Sequence, residues 1–241
     1  MIYDLTQIFN ELDLLEIRMN ILDEYVDKFV IGESTQTFSG NKKPLSFKEN
    51  ENRFSKWKDK IIYVEIPEYE GGVIERTAKQ KDYLRTALVD CNPEDTIYYG
   101  DVDEIWKPQA EEGKLRQLNY CYYLNQRSSE IWEGTNVCKF KNIRNLNELR
   151  ADHSKILLDG GWHFTNQGGV EQIKKKIEAY DHQEFNRPDI IEDLELKIKL
   201  GEDYVGRDRD WLGKEFKFWI DESDLPNYVI INKQKYARYF K

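Results

Sequence analysis

The chain has 241 residues, 39% of them hydrophobic, 13% aromatic and 34% charged, with a formal net charge of -9. That length suits a single globular domain over residues 1–241, and the aromatic content argues against disorder. The negative balance disfavours a nucleic-acid partner, since the basic runs at Lys139–Lys141 and Lys174–Lys176 are short and have acids close by.

The first segment, Asp4–Phe9, reads as a short strand. Ile8, Leu12, Leu15, Met19 and Leu22 then recur at helical spacing and share one face. Lys28–Gly32 (KFVIG) is almost wholly apolar, as a strand covered on both faces is. Ile61–Ile66 predicts another strand, Arg76–Cys91 a helix, and Thr96–Gly100 a strand ending at an acidic motif. This alternation predicts an α/β fold with a mainly parallel central sheet flanked by helices, whose ligands would lie beyond the carboxyl ends of the strands. Leu118–Asn125 and Glu130–Phe140 read as further strands. Val170, Ile173, Ile177 and Tyr180 mark a helix, Ile191, Leu194 and Ile198 a shorter one, and Tyr228–Ile231 (YVII) a last strand. No apolar run approaches the roughly 18–20 residues that cross a bilayer. Cys91, Cys121 and Cys138 form no CxxC pair. The expectation is a soluble, cytoplasmic protein with reduced thiols.

Asp101-Val102-Asp103-Glu104 is the sharpest chemical feature. On an extended chain alternate side chains point the same way, so Asp101 and Asp103 could converge on Mg²⁺ or Mn²⁺, ions that also bind diphosphate oxygens. The plainer reading is a solvated acidic turn. His163, in Gly160-Gly161-Trp162-His163-Phe164, is a candidate third metal ligand, or else a packed histidine between aromatics. His153 and His182 read as surface or structural. Arg207 and Arg209 carry guanidinium forks suited to diphosphate, though such arginines also pair with neighbouring acids. Trp106, Trp132, Trp162, Trp211 and Trp219 offer flat faces for sugar rings, or simply core. Neither a Rossmann fingerprint nor a P-loop is present, which leaves kinases and dinucleotide enzymes without support.

Several ordered blocks resemble glycosyltransferase family 17, which includes the enzyme adding the bisecting N-acetylglucosamine of N-glycans. They are Phe9–Arg18 (FNELDLLEIR), Phe29–Ser34 (FVIGES), Thr37–Gly40 (TFSG), Lys43–Leu45 with Phe47–Asn50, Asp101–Ile105 (DVDEI) with Pro108, Gly160–Phe164 (GGWHF) and Gly168–Val170. The resemblance implies a GT-A-like fold, with nucleotide-sugar binding in about residues 1–106 and acceptor binding in about 107–241. It implies an inverting transferase using UDP-N-acetylglucosamine. Asp101 and Asp103 match the metal and diphosphate motif, and Glu33 and Ser34 end a strand whose loop would approach the nucleotide. Gln80 and Asp82 match a Gln-Arg-Asp run in which Lys81 takes the middle position. A histidine-phenylalanine pair followed by glycines resembles the metal-binding segment of some GT-A enzymes, favouring His163.

The expected reaction is a single in-line displacement assisted by Mn²⁺ or Mg²⁺. Asp159 is the candidate base with Glu130 in reserve, and Trp162 is the acceptor platform. The partners implied are a nucleotide-sugar donor and a glycan or polysaccharide acceptor. Without a membrane anchor or stem the chain looks like a bacterial or viral relative, so an N-glycan acceptor does not carry over. Other readings are a retaining enzyme, one using UDP-glucose or UDP-galactose, a nucleotidyltransferase, or a non-catalytic carbohydrate-binding protein.

Overall fold

The first hundred residues form the alternating unit that their pattern predicts. In the computed structural model, which describes residues 1–210 and 213–241, β1 (Ile2–Gln7), α1 (Leu12–Leu22), β2 (Lys28–Ser34), α2 (Ser46–Glu49), β3 (Ile61–Ile66), α3 (Val73–Tyr83) and β4 (Thr96–Tyr99) follow in order. The strands run parallel in the order β3-β2-β1-β4. Alpha-helix stops at Tyr83, and a tighter turn, Leu84–Leu88, replaces the rest of the predicted Arg76–Cys91 helix. Its buried Leu84 packs on Gly32 of β2, where an added Cβ would stand 2.2 Å from Leu84 Cδ2.

The remainder corrects the expectation of a mainly parallel sheet. Beyond β4 the same sheet continues through β5 (Glu104–Trp106), β6 (Gly113–Cys121), β7 (Gln126–Lys139) and β9 (Gly161–Thr165), in the order β4-β7-β6-β9-β5. Three of those four junctions are antiparallel, and only β6 and β9 run parallel. The short strands β8 (Ile156–Leu157) and β10 (Phe218–Ile220) pair with β6 and β7. The sheet is mixed because β6 and β7 meet through a close connection at Tyr122–Asn125, and a short link between adjacent strands gives an antiparallel pair.

Helices α4 (Leu146–Ala151), α5 (Val170–Ala179), α6 (Pro188–Leu200) and α7 (Asn227–Ile231) complete the α-helices of the described residues. The last of these overturns the predicted YVII strand. Pro226 precedes the turn, Val229 is buried in the main core cluster, and Ile231 is 80% exposed. A strand would have buried alternate residues instead. Among the described residues no helix is long and apolar enough to cross a membrane.

Candidate active site

A cavity of about 580 Å³ opens where β1, β2 and β4 end, lined there by Gln7, Gln36, Phe38 and Asp101. Asp101 to Glu104 forms a turn rather than the extended run expected, the Glu104 amide donating to the Asp101 carbonyl at 3.0 Å. The reason lies in a buried guanidinium. Arg18 of α1 donates to the carbonyls of Asp101 (3.1 Å) and Glu104 (2.6 Å), and to both carboxylate oxygens of Asp4 at 2.8 and 2.6 Å. Trp106 Nε1 donates to the same Asp4 at 2.7 Å.

The turn aims its two aspartates at different partners. Asp101 meets Lys81 Nζ at 3.4 Å and Arg150 at 3.1 Å. Burial works against its ionisation, but these two cations outweigh it and hold the carboxyl well below the usual range. Asp103 Oδ2 lies 3.1 Å from Lys176 Nζ and 3.8 Å from His163 Nε2. Glu104 points inward and is fully buried. It accepts from Arg150 NH1 at 2.6 Å, from a second Arg150 nitrogen, and from Trp132 Nε1 at 2.9 Å. An alanine at Gly134 would put its Cβ 2.5 Å from the Glu104 carboxyl carbon, so that glycine makes room for the carboxylate.

Strand register brings distant residues beside the turn. β5 and β9 pair Glu104 with His163, and β6 and β9 pair Asn119 with His163. Gly161, with φ of 110°, permits this approach, since a Cβ there would lie 2.2 Å from the Ile105 carbonyl oxygen. Trp132 of β7 stacks on the His163 ring with centroids 4.0 Å apart. Asn119 Nδ2 donates to Glu130 Oε2 at 3.1 Å, which turns the Asn119 carbonyl oxygen toward His163 Nδ1 at 2.9 Å. His163 Nδ1 must therefore carry the proton, leaving the Nε2 lone pair facing Asp103. Burial depresses the His163 pKa and favours the neutral ring, despite the opposing pull of Asp103.

A neutral, oriented imidazole beside a carboxylate is a donor set that suits Mn²⁺ or a similar divalent ion, with Asn119 fixing the tautomer from behind. Among the described residues no three His, Cys, Asp or Glu side chains form a closed cage. An ion held by Asp103 and His163 would draw its other ligands from water or phosphate, as Mg²⁺-type ions commonly do.

The other candidates separate into two groups. Gln80 lines the cavity, donating to the Gln36 carbonyl at 3.1 Å. Glu130 and Arg207 line its far side, 3.5 Å apart, and Arg207 also pairs with Asp203 at 2.8 Å. Burial raises the Glu130 pKa, with Arg207 opposing. Glu33 is buried just behind the wall, accepting from the Phe47 amide at 2.9 Å, and Ser34 Oγ accepts from the Gln36 amide at 3.2 Å. Asp82 accepts from the Leu146 amide at 2.8 Å and faces a different surface groove. Asp159 lies outside the cavity, its side chain 76% exposed and paired with Lys107 at 2.6 Å. Arg209 donates to the Gly213 carbonyl at 2.8 Å, also away from the cavity. Trp162 is buried, its Nε1 donating to the Asp224 carbonyl at 2.6 Å. Of the other tryptophans, Trp106 is core, Trp219 is 42% exposed, and Trp211 falls outside the described residues. Sequence reasoning gave no role to Arg150, Lys176 or Asn119. A lysine in a basic run and an arginine in a short helix carry no local signal of a distant acidic partner.

Residues 1–195 match the sequence profile of glycosyltransferase family 17. The chain belongs to glycosyltransferase family 17. A segment of it is 33% identical over 116 residues to the human beta-1,4-mannosyl-glycoprotein 4-beta-N-acetylglucosaminyltransferase, covering 44% of this chain and 21% of that protein. The rat and mouse proteins of the same name are 33% and 32% identical over the same length. The matched segment thus spans about a fifth of these relatives. Of the cavity-lining residues named above, all except Arg207 and its partner Asp203 fall within the matched 1–195. The cavity wall formed by Asp203, Tyr204, Arg207, Phe216 and Phe218 lies beyond it.

Proposed function

We propose that this family 17 member is an inverting, metal-assisted N-acetylglucosaminyltransferase using UDP-N-acetylglucosamine and a glycan hydroxyl. The observation that carries this reading is the Asp103–His163–Asn119–Glu130 chain, which joins a cation-ready pair to a half-buried carboxylate across one cavity. The names of the curated relatives support the choice of sugar.

Asp103 and His163 would hold the divalent ion, with Asp101 beside them. When bound, such an ion neutralises charge on the leaving diphosphate. Gln80 and the ends of β1 and β2 border the donor side. Glu130 is the better base than Asp159, because it faces the cavity and its burial raises its proton affinity. In the displacement the acceptor oxygen bonds to the anomeric carbon, the carbon–phosphate-oxygen bond breaks, UDP departs with the electron pair, and Glu130 takes the acceptor proton. The half-buried Tyr180, Tyr204 and Phe216 form an aromatic wall on the far side, where a pyranose face could stack.

The test is a panel of UDP-sugars with Mn²⁺, read as UDP release and as a rise in Tm. UDP-N-acetylglucosamine should give the largest response. If no UDP-sugar protects the protein or yields UDP, with Mn²⁺ or Mg²⁺ present, the reading is wrong.

A further inference from the structure

Three cations surround the aspartate pair, and nothing in the proposed reaction has yet used them. Lys81 comes from α3, Arg150 from α4 and Lys176 from α5, so three separate helices converge on one turn. All three side chains line the cavity and remain 17%, 20% and 28% exposed. Facing them are the three carboxylates of Asp101, Asp103 and Glu104. Glu11 and Asp181 also line the cavity and act on Lys176 and Lys81 from further away, so the three cations answer more carboxylates than the three of the turn.

The hydrogen bonding of these cations is not used up. An ammonium group has three donors. Among the described residues Lys81 has one carboxylate ion-pair partner, at 3.4 Å, and otherwise lies over the Phe38 ring at 5.5 Å. Lys176 reaches Asp103 at 3.1 Å and Thr165 Oγ1 at a long 3.4 Å. Its field also reaches Asp101, to which Lys81 and Arg150 are bound. A site meant only to attract a divalent ion would gain from leaving its carboxylates free. Here, placing three cations at the rim creates a ready seat for a multiply charged anion.

We infer that Lys176 and Lys81, backed by Arg150, form a diphosphate seat that binds UDP directly, without a divalent ion. This rests on the donor reading above and deepens it. Without an ion, Lys176 keeps its contact with Asp103 and turns its remaining donors to the phosphate oxygens; with an ion, Asp103 and His163 would hold it while the same ammonium stays on the phosphate.

The experiment is calorimetric titration of the intact protein with UDP in EDTA and, separately, in Mn²⁺. Wild type should bind UDP in EDTA, inorganic pyrophosphate should compete, and Lys176→Met should weaken UDP by about tenfold or more, the loss of one charge-assisted contact. Lys81→Met serves as a second variant should Lys176→Met fail to fold, and Lys176→Arg should restore most of the affinity. UDP binding in Mn²⁺ but not in EDTA overturns the seat and leaves the donor reading intact. UDP binding in EDTA that both methionine variants retain in full also overturns it. UDP binding in neither condition overturns the donor reading and the seat together.

Discussion

Arg18 is the residue on which the site turn depends, and Arg18→Met is the sharpest perturbation of it. Its guanidinium is fully buried and makes four hydrogen bonds, two to the Asp4 carboxylate and two to carbonyls of the turn. Methionine fills a similar volume but removes every donor, leaving the Asp4 charge buried with, among the described residues, only Trp106 Nε1 as a side-chain partner. Removing one member of a buried ion pair costs about 3–5 kcal/mol. For a domain of this size each kcal/mol lowers Tm by about 2–4 °C. Arg18→Met should thus fall by about 6–20 °C, read by thermal unfolding and by urea titration followed through tryptophan fluorescence. The double variant Asp4→Leu/Arg18→Met removes the stranded charge and should recover part of the loss, a coupling that a double-mutant cycle measures. A decrease under 1 kcal/mol for Arg18→Met, or strictly additive effects in the cycle, would refute the view that this pair anchors the turn.

Gly134→Ala should destabilise by about 1–3 kcal/mol, because its Cβ would press on the Glu104 carboxyl and the Trp132 indole; Gly72→Ala, with nothing within 4 Å, is the thermal-unfolding control. Asn119→Ala should weaken Mn²⁺ binding by about 10–100-fold while the fold persists, since it frees the His163 tautomer; Mn²⁺ titration followed by electron paramagnetic resonance reads it. Glu130→Gln should cut kcat by about 10²–10⁴-fold with UDP affinity little changed. The pH profile gives the sign of that role. The base acts as carboxylate, so kcat/KM should fall as pH drops through the Glu130 pKa, which burial raises above the ordinary 4.5. That acid limb should be absent from whatever activity Glu130→Gln retains.

Local pattern was enough for the parallel half of the fold. Short apolar runs such as KFVIG and IIYVEI have one comfortable place, inside a sheet covered by helices, and the intervening stripes at helical spacing supply the cover. The aspartate motif was legible for the same reason, lying just past such a strand. Two local rules failed where tertiary packing opposed them. The β-branched YVII segment turned helical, docking Val229 into the core, and the aspartates sit on a turn because Arg18, more than eighty positions away, grips its carbonyls. What only the three-dimensional structure decided is which side chains meet. Asn119, Glu130, Trp132 and His163 become neighbours through the register of β6, β7 and β9, and a one-residue slip would turn each to the other face. Lys81, Arg150 and Lys176 likewise reach the turn from three helices. Spacing along a chain encodes its periodicity, whereas charge pairing across a cavity depends on how whole elements stack, and no stretch of local sequence carries that.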